Sequence, residues 1–344
     1  MKQLTTIQDV TAYQLEKGRK FYSANHDEIE AGLTTDVYFI KTKQILDSAG
    51  YSDKRVSAEI FPRRSGVVAG VNEALALLSK LDVEVECLPE GSKFEAKDVI
   101  MRITGRYSDF GIYETVLLGI LASSSGWATA AHEIAQAADG KPFFCFGARH
   151  VHPSVAPVME RAAVIGGASG ASCILGAKLL GLEPVGTVPH ALFLIVGDTV
   201  KGTKLYDQIM PPESPRTILV DTFKDEVEES LRLSEALGEK LQGVRIDTPS
   251  ERGGVTVGLV KELRFKLDLA GYKHVQIFAS GGMDVERVKM LSEAGVDAFG
   301  VGSYISAAPP IDMTMDIKVV EGNPVAKRGR LPGLTDSKDL KKIL

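Results

Sequence analysis

The sequence predicts an α/β protein: an incomplete (β/α) barrel over residues 114–310, an N-terminal α+β domain over 1–113, and a C-terminal segment, 311–344, that packs on the N-terminal domain. Three observations predict it. Beyond Tyr113, short runs that are apolar on both faces alternate with helical patterns, as in parallel βαβ units. No G-x-G-x-x-G opens that series, which disfavours a dinucleotide-binding doubly wound sheet. Before Tyr113, the signals are mixed, with a stretch in which apolar and polar residues alternate between turns.

The elements follow in order. ANHDEIEAG reads as a short helix, and VNEALALLSKL (71–81) carries apolar residues at helical spacing. VEVECLPEGSKFEAKDVIMRITG alternates through a turn at Pro89-Glu90-Gly91, which predicts an antiparallel meander. ETVLLGILASSSGWATAAHEIAQAA is one long helix with an apolar stripe. Six strands are then expected at FFCF (143–146), EPVGTV (183–188), TILVD (217–221), GVRID (243–247), VQIFAS (275–280) and AFGVGS (298–303).

Composition narrows the function. A net charge of −5 gives no broad field toward nucleic acid or anionic lipid, so any bound phosphate must be met by local groups. Three cysteines without C-x-x-C spacing predict neither a disulfide framework nor structural zinc. No apolar run approaches the ~20 residues of a membrane span. MKQLTTIQDV has no signal-peptide character, so the expectation is a soluble, cytoplasmic protein.

Active sites of parallel barrels lie on the loops that follow the strands. Nearly every predicted strand here ends in a polar or glycyl group: Gly147, Arg149 and His150; His190; Asp221; Asp247 and Thr248; Ser280, Gly281 and Gly282; Gly302 and Ser303. The two glycine-bearing loops, ASGGM and GVGS, suit a phosphate cradle of backbone N–H groups; the bland reading is two tight turns. Asp221 and Asp247, on consecutive strands, suit a diol or a hydrated magnesium ion, or else cap the following helices. His190 is either a hydrogen-bonded structural residue or a participant in the chemistry. Arg149 after Phe144 and Phe146 suits a planar carboxylate or a phosphate, with the rings suited to the face of an aromatic group, or it is a surface arginine beside core rings.

The chain resembles the nicotinate phosphoribosyltransferases, within the type II phosphoribosyltransferases that also include the quinolinate and nicotinamide enzymes. The resemblance rests on pieces in family order, among them GLTTDVYF (32–39), PEGSKF (89–94), FGARHVHP (146–153), GGASGASCILGAKLLG (166–181), VGTVPHA (185–191), LVDTF (219–223), GVRIDT (243–248), ASGGMD (279–284), FGVGSYI (299–305) and NPVAKRGR (323–330). It implies transfer of phosphoribosyl from 5-phosphoribosyl-1-pyrophosphate to nicotinate, with Mg2+, toward NAD. It also implies a homodimer or higher homo-oligomer with shared active sites, in which Tyr38 enters the neighbouring subunit's site and stacks on the pyridine. Phe146 would supply the opposite face and Arg149 would meet the carboxylate or a phosphate. Arg245 and Asp247 would hold ribose and pyrophosphate, Asp221 would lie near metal and base, and Thr248 would bind substrate. Ser280, Gly281, Gly282, Gly302 and Ser303 would cradle the 5-phosphate. Ser172 falls where the nicotinamide enzyme has an aspartate, which favours nicotinate. His190 matches a histidine that some members phosphorylate with ATP.

The chain departs from the family in two places. It has no cysteine after Cys173, where some relatives carry a cysteine-rich zinc-binding segment, so a metal-free tail is expected. Two histidines, His150 and His152, stand beside the arginine of FGARHVHP.

Overall fold

The computed structural model describes residues Met1–Leu344 and divides them into two compact units. The first joins Met1–Thr129 to Pro309–Leu344, and the second is Ala130–Ala308. The predicted long helix is Glu114–Ala137, whose residues are shared between the two.

The strands of the first unit are β1 (Arg55–Pro62), β2 (Gly66–Val67), β3 (Val83–Cys87), β4 (Lys93–Phe94), β5 (Met101–Arg106) and, from the end of the chain, β12 (Met313–Val320), β13 (Asn323–Pro324) and β14 (Lys341–Lys342). Six form one antiparallel sheet in the order β13-β12-β1-β5-β3-β14. One set of inward residues, Ala58, Ile60, Val85, Cys87, Met101 and Ile103, joins the core beside Leu78 and Leu117. The other side carries charge in register. Glu59 stands opposite Arg102, and Arg102 opposite Glu86. The Arg102 guanidinium donates to Glu59 Oε1 at 2.8 Å and to Glu86 Oε2 at 2.9 Å. The predicted meander is altered: β3 and β5 pair directly, while β4 between them leaves to pair with β2. Backbone bonds Gly91 N→Val68 O and Val68 N→Ser92 O draw that turn toward β2.

The second unit holds β6 (Phe143–Cys145), β7 (Gly170–Ala171), β8 (Thr217–Leu219), β9 (Gly243–Ile246), β10 (Gln276–Ala279) and β11 (Ala298–Val301), all parallel, in the order β7-β6-β11-β10-β9-β8. The last strand pairs with the first, so the sheet rolls on itself and lacks pairing only between β7 and β8. This is an incomplete (β/α) barrel.

One expected strand fails. EPVGTV is not a strand; the second barrel strand is Gly170–Ala171, and residues 183–188 touch it through a single bond, Val185 N→Ala171 O. Its residues are largely exposed, Val188 apart, so burial on both faces does not hold them in the sheet. The other five predicted strands are observed, shorter by one or two residues.

Candidate active site

The carboxyl ends of β8, β9 and β10 assemble one polar cluster. Asp221 lies two residues past β8, Asp247 one past β9, and Ser280 one past β10. Arg245, inside β9, joins them. Its Nε donates to Ser280 Oγ at 2.8 Å, one Nη to Thr187 Oγ1 at 2.8 Å, and the other lies 3.3 Å from Asp247 Oδ2. Ser280 Oγ donates in turn to Asp247 Oδ1 at 2.7 Å. Every nitrogen of this guanidinium is thereby engaged. Its carbon also sits 5.1 Å from the centre of the Phe146 ring, which packs on Phe278. Burial lowers the Arg245 pKa, the carboxylates Asp247 and Asp221 counter that, and Arg149 lowers it further. A positively charged neighbour at Arg149 is therefore felt at this cluster.

Asp221 is different in kind. Its Oδ2 hydrogen-bonds His190 Nε2 at 3.0 Å, while its Oδ1 is buried with no partner within the chain. Burial raises its pKa, and the bond to His190 opposes that. His190 opens the helix His190–Val196, in the stretch of chain between the edge strands β7 and β8, which do not pair with each other. The rim geometry thus brings His190 to Asp221 although EPVGTV is not a strand.

The helix caps settle one alternative left by the sequence. The helix after β8 is capped by Asp225, which accepts from Val227 N and Glu228 N, and the helix after β9 by Thr256, which accepts from Leu259 N. Neither Asp221 nor Asp247 caps a helix. Two carboxylates released from that duty, one with an orphaned oxygen, fit a magnesium ion, which keeps most of its waters and takes one or two protein carboxylates.

The glycines divide by cause. Gly281 and Gly282 have φ of +85° and +63°, left-handed conformations that side chains resist. Gly302 does not; a Cβ there would stand 2.9 Å from His150 Cε1 and 3.1 Å from Phe146 O. Gly281 and Gly282 line a cavity of about 420 Å³ with Asp247, Thr248, Gly254 and Arg287. The helix after β10 is capped by Asp284, so its N-terminus is already matched by a carboxylate.

The chain is matched by two family models, the quinolinate phosphoribosyl transferase N-terminal domain over residues 36–125 and its C-terminal domain over residues 127–316. The chain belongs to the type II phosphoribosyltransferase family. A crystal structure of nicotinate-nucleotide pyrophosphorylase from Pyrococcus furiosus is similar at 49% identity, covering 92% of this chain and 82% of that one, with a TM-score of 0.88. A nicotinate phosphoribosyltransferase of Mycobacterium tuberculosis is 26% identical over 87% of this chain and 75% of its own length. The human nicotinate-nucleotide pyrophosphorylase [carboxylating] is 24% identical over 87% of this chain and 93% of its own.

In this phosphoribosyltransferase the remaining expected residues are more scattered. Arg149 is exposed on the turn after β6, and its guanidinium makes no hydrogen bond or ion pair within the chain. His150 Nδ1 meets Ser306 Oγ at 3.2 Å, and His152 Nδ1 accepts from Ser154 N; neither binds Arg149. Thr248 is buried and donates its hydroxyl to Glu226 Oε1 at 2.7 Å. Ser303 opens the short helix Ser303–Ser306 after β11. Ser172 donates to Glu160 Oε1 at 2.8 Å. Tyr38 lies in the first unit, on the helix Val37–Ser48, and is more than half exposed. Sequence reasoning passed over Thr187, Phe278, Arg287 and Glu160. Thr187 sits in the quoted VGTVPHA segment, and Glu160 looks in sequence like any helical glutamate.

No helix of the chain is long and apolar enough to cross a membrane.

Proposed function

We propose that this enzyme transfers phosphoribosyl from 5-phosphoribosyl-1-pyrophosphate to nicotinate, giving nicotinate mononucleotide and pyrophosphate. The observation that carries the choice of base is the contrast between two arginines. Arg245 commits three of its five N–H donors to its own cluster, whereas Arg149 has no partner and so supplies one planar cation for one carboxylate. The curated relative from Mycobacterium tuberculosis, a nicotinate phosphoribosyltransferase, supports the same reading.

The pyridine nitrogen attacks the anomeric carbon through an oxocarbenium-like state. The bond from that carbon to the pyrophosphate oxygen breaks, and its electron pair leaves with pyrophosphate. No proton need move, which suits a site whose task is alignment and charge neutralisation. Arg245 and Asp247 hold ribose and pyrophosphate, and the loops with Ser280, Gly281, Gly282, Gly302 and Ser303 receive the 5-phosphate. Asp221 and Asp247 would hold Mg2+, which supplies positive charge to the departing pyrophosphate. His190, whose Nε2 bonds Asp221, would be the residue phosphorylated by ATP. The partner subunit's Tyr38 would cover the base in a homodimer.

A second reading, quinolinate as acceptor, draws support from the matched family models and the pyrophosphorylase relatives. A base with two carboxylates calls for more than one free cation. The test incubates the protein with phosphoribosyl pyrophosphate, Mg2+ and nicotinate, nicotinamide or quinolinate in turn. Mononucleotide from nicotinate, with at least tenfold lower kcat/KM for the others, is expected. Preference for quinolinate would overturn the choice of base.

A further inference from the structure

Glu160 has no exposed surface, yet it lies on the helix Ala156–Ile165 beside the carboxyl ends of β6 and β7. Its carboxyl group collects three donors from two loops. Oε1 accepts from Ala148 N at 3.2 Å and from Ser172 Oγ at 2.8 Å; Oε2 accepts from Cys173 N at 2.6 Å. A single oxygen therefore ties the turn that carries Arg149 to the turn that carries Ser172. The only other backbone donor of that second turn, Ser172 N, is given to Cys145 O. Apart from the weakly donating Cys173 thiol, the 172–173 turn has no hydrogen-bond donor left for a ligand.

A buried carboxyl group is costly unless its hydrogen bonds are complete, so an apolar residue would be the default at a helix position of this kind. What Glu160 gains here is order: it fixes Ala148, the residue before Arg149, and uses up the competing donors nearby. Arg149 is then the one unpartnered side chain on these two turns that always carries a positive charge, with a free ring nitrogen of His150 beside it, and a carboxylate arriving here is drawn to it first.

We infer that Glu160 is a positioning residue for base recognition, which holds Arg149 in place and denies the substrate carboxylate an alternative at Ser172. This rests on the reading of nicotinate as substrate. The effect should act on the base and not on phosphoribosyl pyrophosphate, whose cluster of Arg245, Asp247 and Ser280 shares no hydrogen bond with Glu160.

The experiment is a double-mutant cycle with Glu160→Gln, Arg149→Ala and the double variant, following KM for both substrates, kcat and Tm. Glutamine keeps the shape and one acceptor but faces at least one N–H with its own. Glu160→Gln is expected to raise KM for nicotinate at least fivefold and leave KM for phosphoribosyl pyrophosphate within twofold. The double variant is expected to lose no more than Arg149→Ala alone, because coupled residues are not additive. Additive losses, or both KM values rising together, would show that Glu160 only supports the fold and would overturn the inference. Should Glu160→Gln not fold, Ser172→Ala removes one of the three donors, and the same non-additivity with Arg149→Ala is required. A wild type inactive on every pyridine acid removes the functional reading itself, a result distinct from an active wild type with an additive cycle.

Discussion

The buried carboxylates of the two units are treated differently. In the antiparallel sheet of the first unit each is matched by cations. Glu59 has Arg102 and the backbone and hydroxyl of Thr335, and Asp316 has Lys327 at 2.7 Å and Arg330 at 3.0 Å. At the rim of the barrel the matching is incomplete. Asp221 has one histidine and an oxygen with no partner, whereas both oxygens of Glu160 are satisfied, but by neutral donors alone. Satisfied buried charge serves the fold, because each partner removes the cost of leaving water. Unsatisfied buried charge costs stability in the free protein and so marks where a ligand or cation completes the set.

The largest effect should come from breaking the satisfied side of this contrast. Glu59→Ala leaves Arg102, itself nearly buried, with the partly exposed Glu86 as its only carboxylate beside the Thr335 carbonyl. A loss of about 3 kcal/mol is expected, as for other buried pairs with one partner removed. Urea unfolding monitored on the first unit measures it, and a loss under about 1 kcal/mol would mean that the Arg102 network reorganises freely.

The unsatisfied side should respond in the opposite way. Asp221→Asn keeps the shape, removes a charge that burial disfavours, and takes away the anchor of His190. Turnover should fall by about 10²-fold, the scale of losing one electrostatic group at a reacting centre, while thermal stability holds or rises. Parallel loss of stability and activity would return Asp221 to the class of Glu59.

The smallest effect separates the two kinds within the first unit. Glu114, at the start of its helix, is pushed up to about 7 by burial, with Asp316 adding to the shift and Lys327 opposing it. A carboxyl whose folded pKa is raised contributes stability below its ordinary value near 4.5 and loses it as pH rises through about 7. Glu114→Gln should therefore equal the wild type at pH 4 and exceed it by about 1–2 kcal/mol at pH 8, allowing for partial exposure. Unfolding curves across that range test it; a difference independent of pH would show that Glu114 is not the titrating group.

Much of this was legible in the chain itself. Five barrel strands, the long helix, the carboxylates after β8 and β9 and the glycine pair after β10 follow from local pattern, because a parallel strand buried on both faces must be apolar throughout and its end must turn. A charged residue inside the apolar run GVRI is also a local signal, and Arg245 proves to be the hub of the cluster. EPVGTV has the same pattern and is not a strand, since apolar composition cannot say whether a neighbour is there to pair with it. Pairing order, the single break between β7 and β8 and the departure of β4 were likewise decided by tertiary structure. So was the assignment of caps, which freed Asp221 and Asp247 because Asp225 and Thr256 lay nearer the helix starts. Glu160 shows the limit best: its meaning comes from three donors on two distant turns, and hydrogen bonds across such separations leave no periodic trace in sequence.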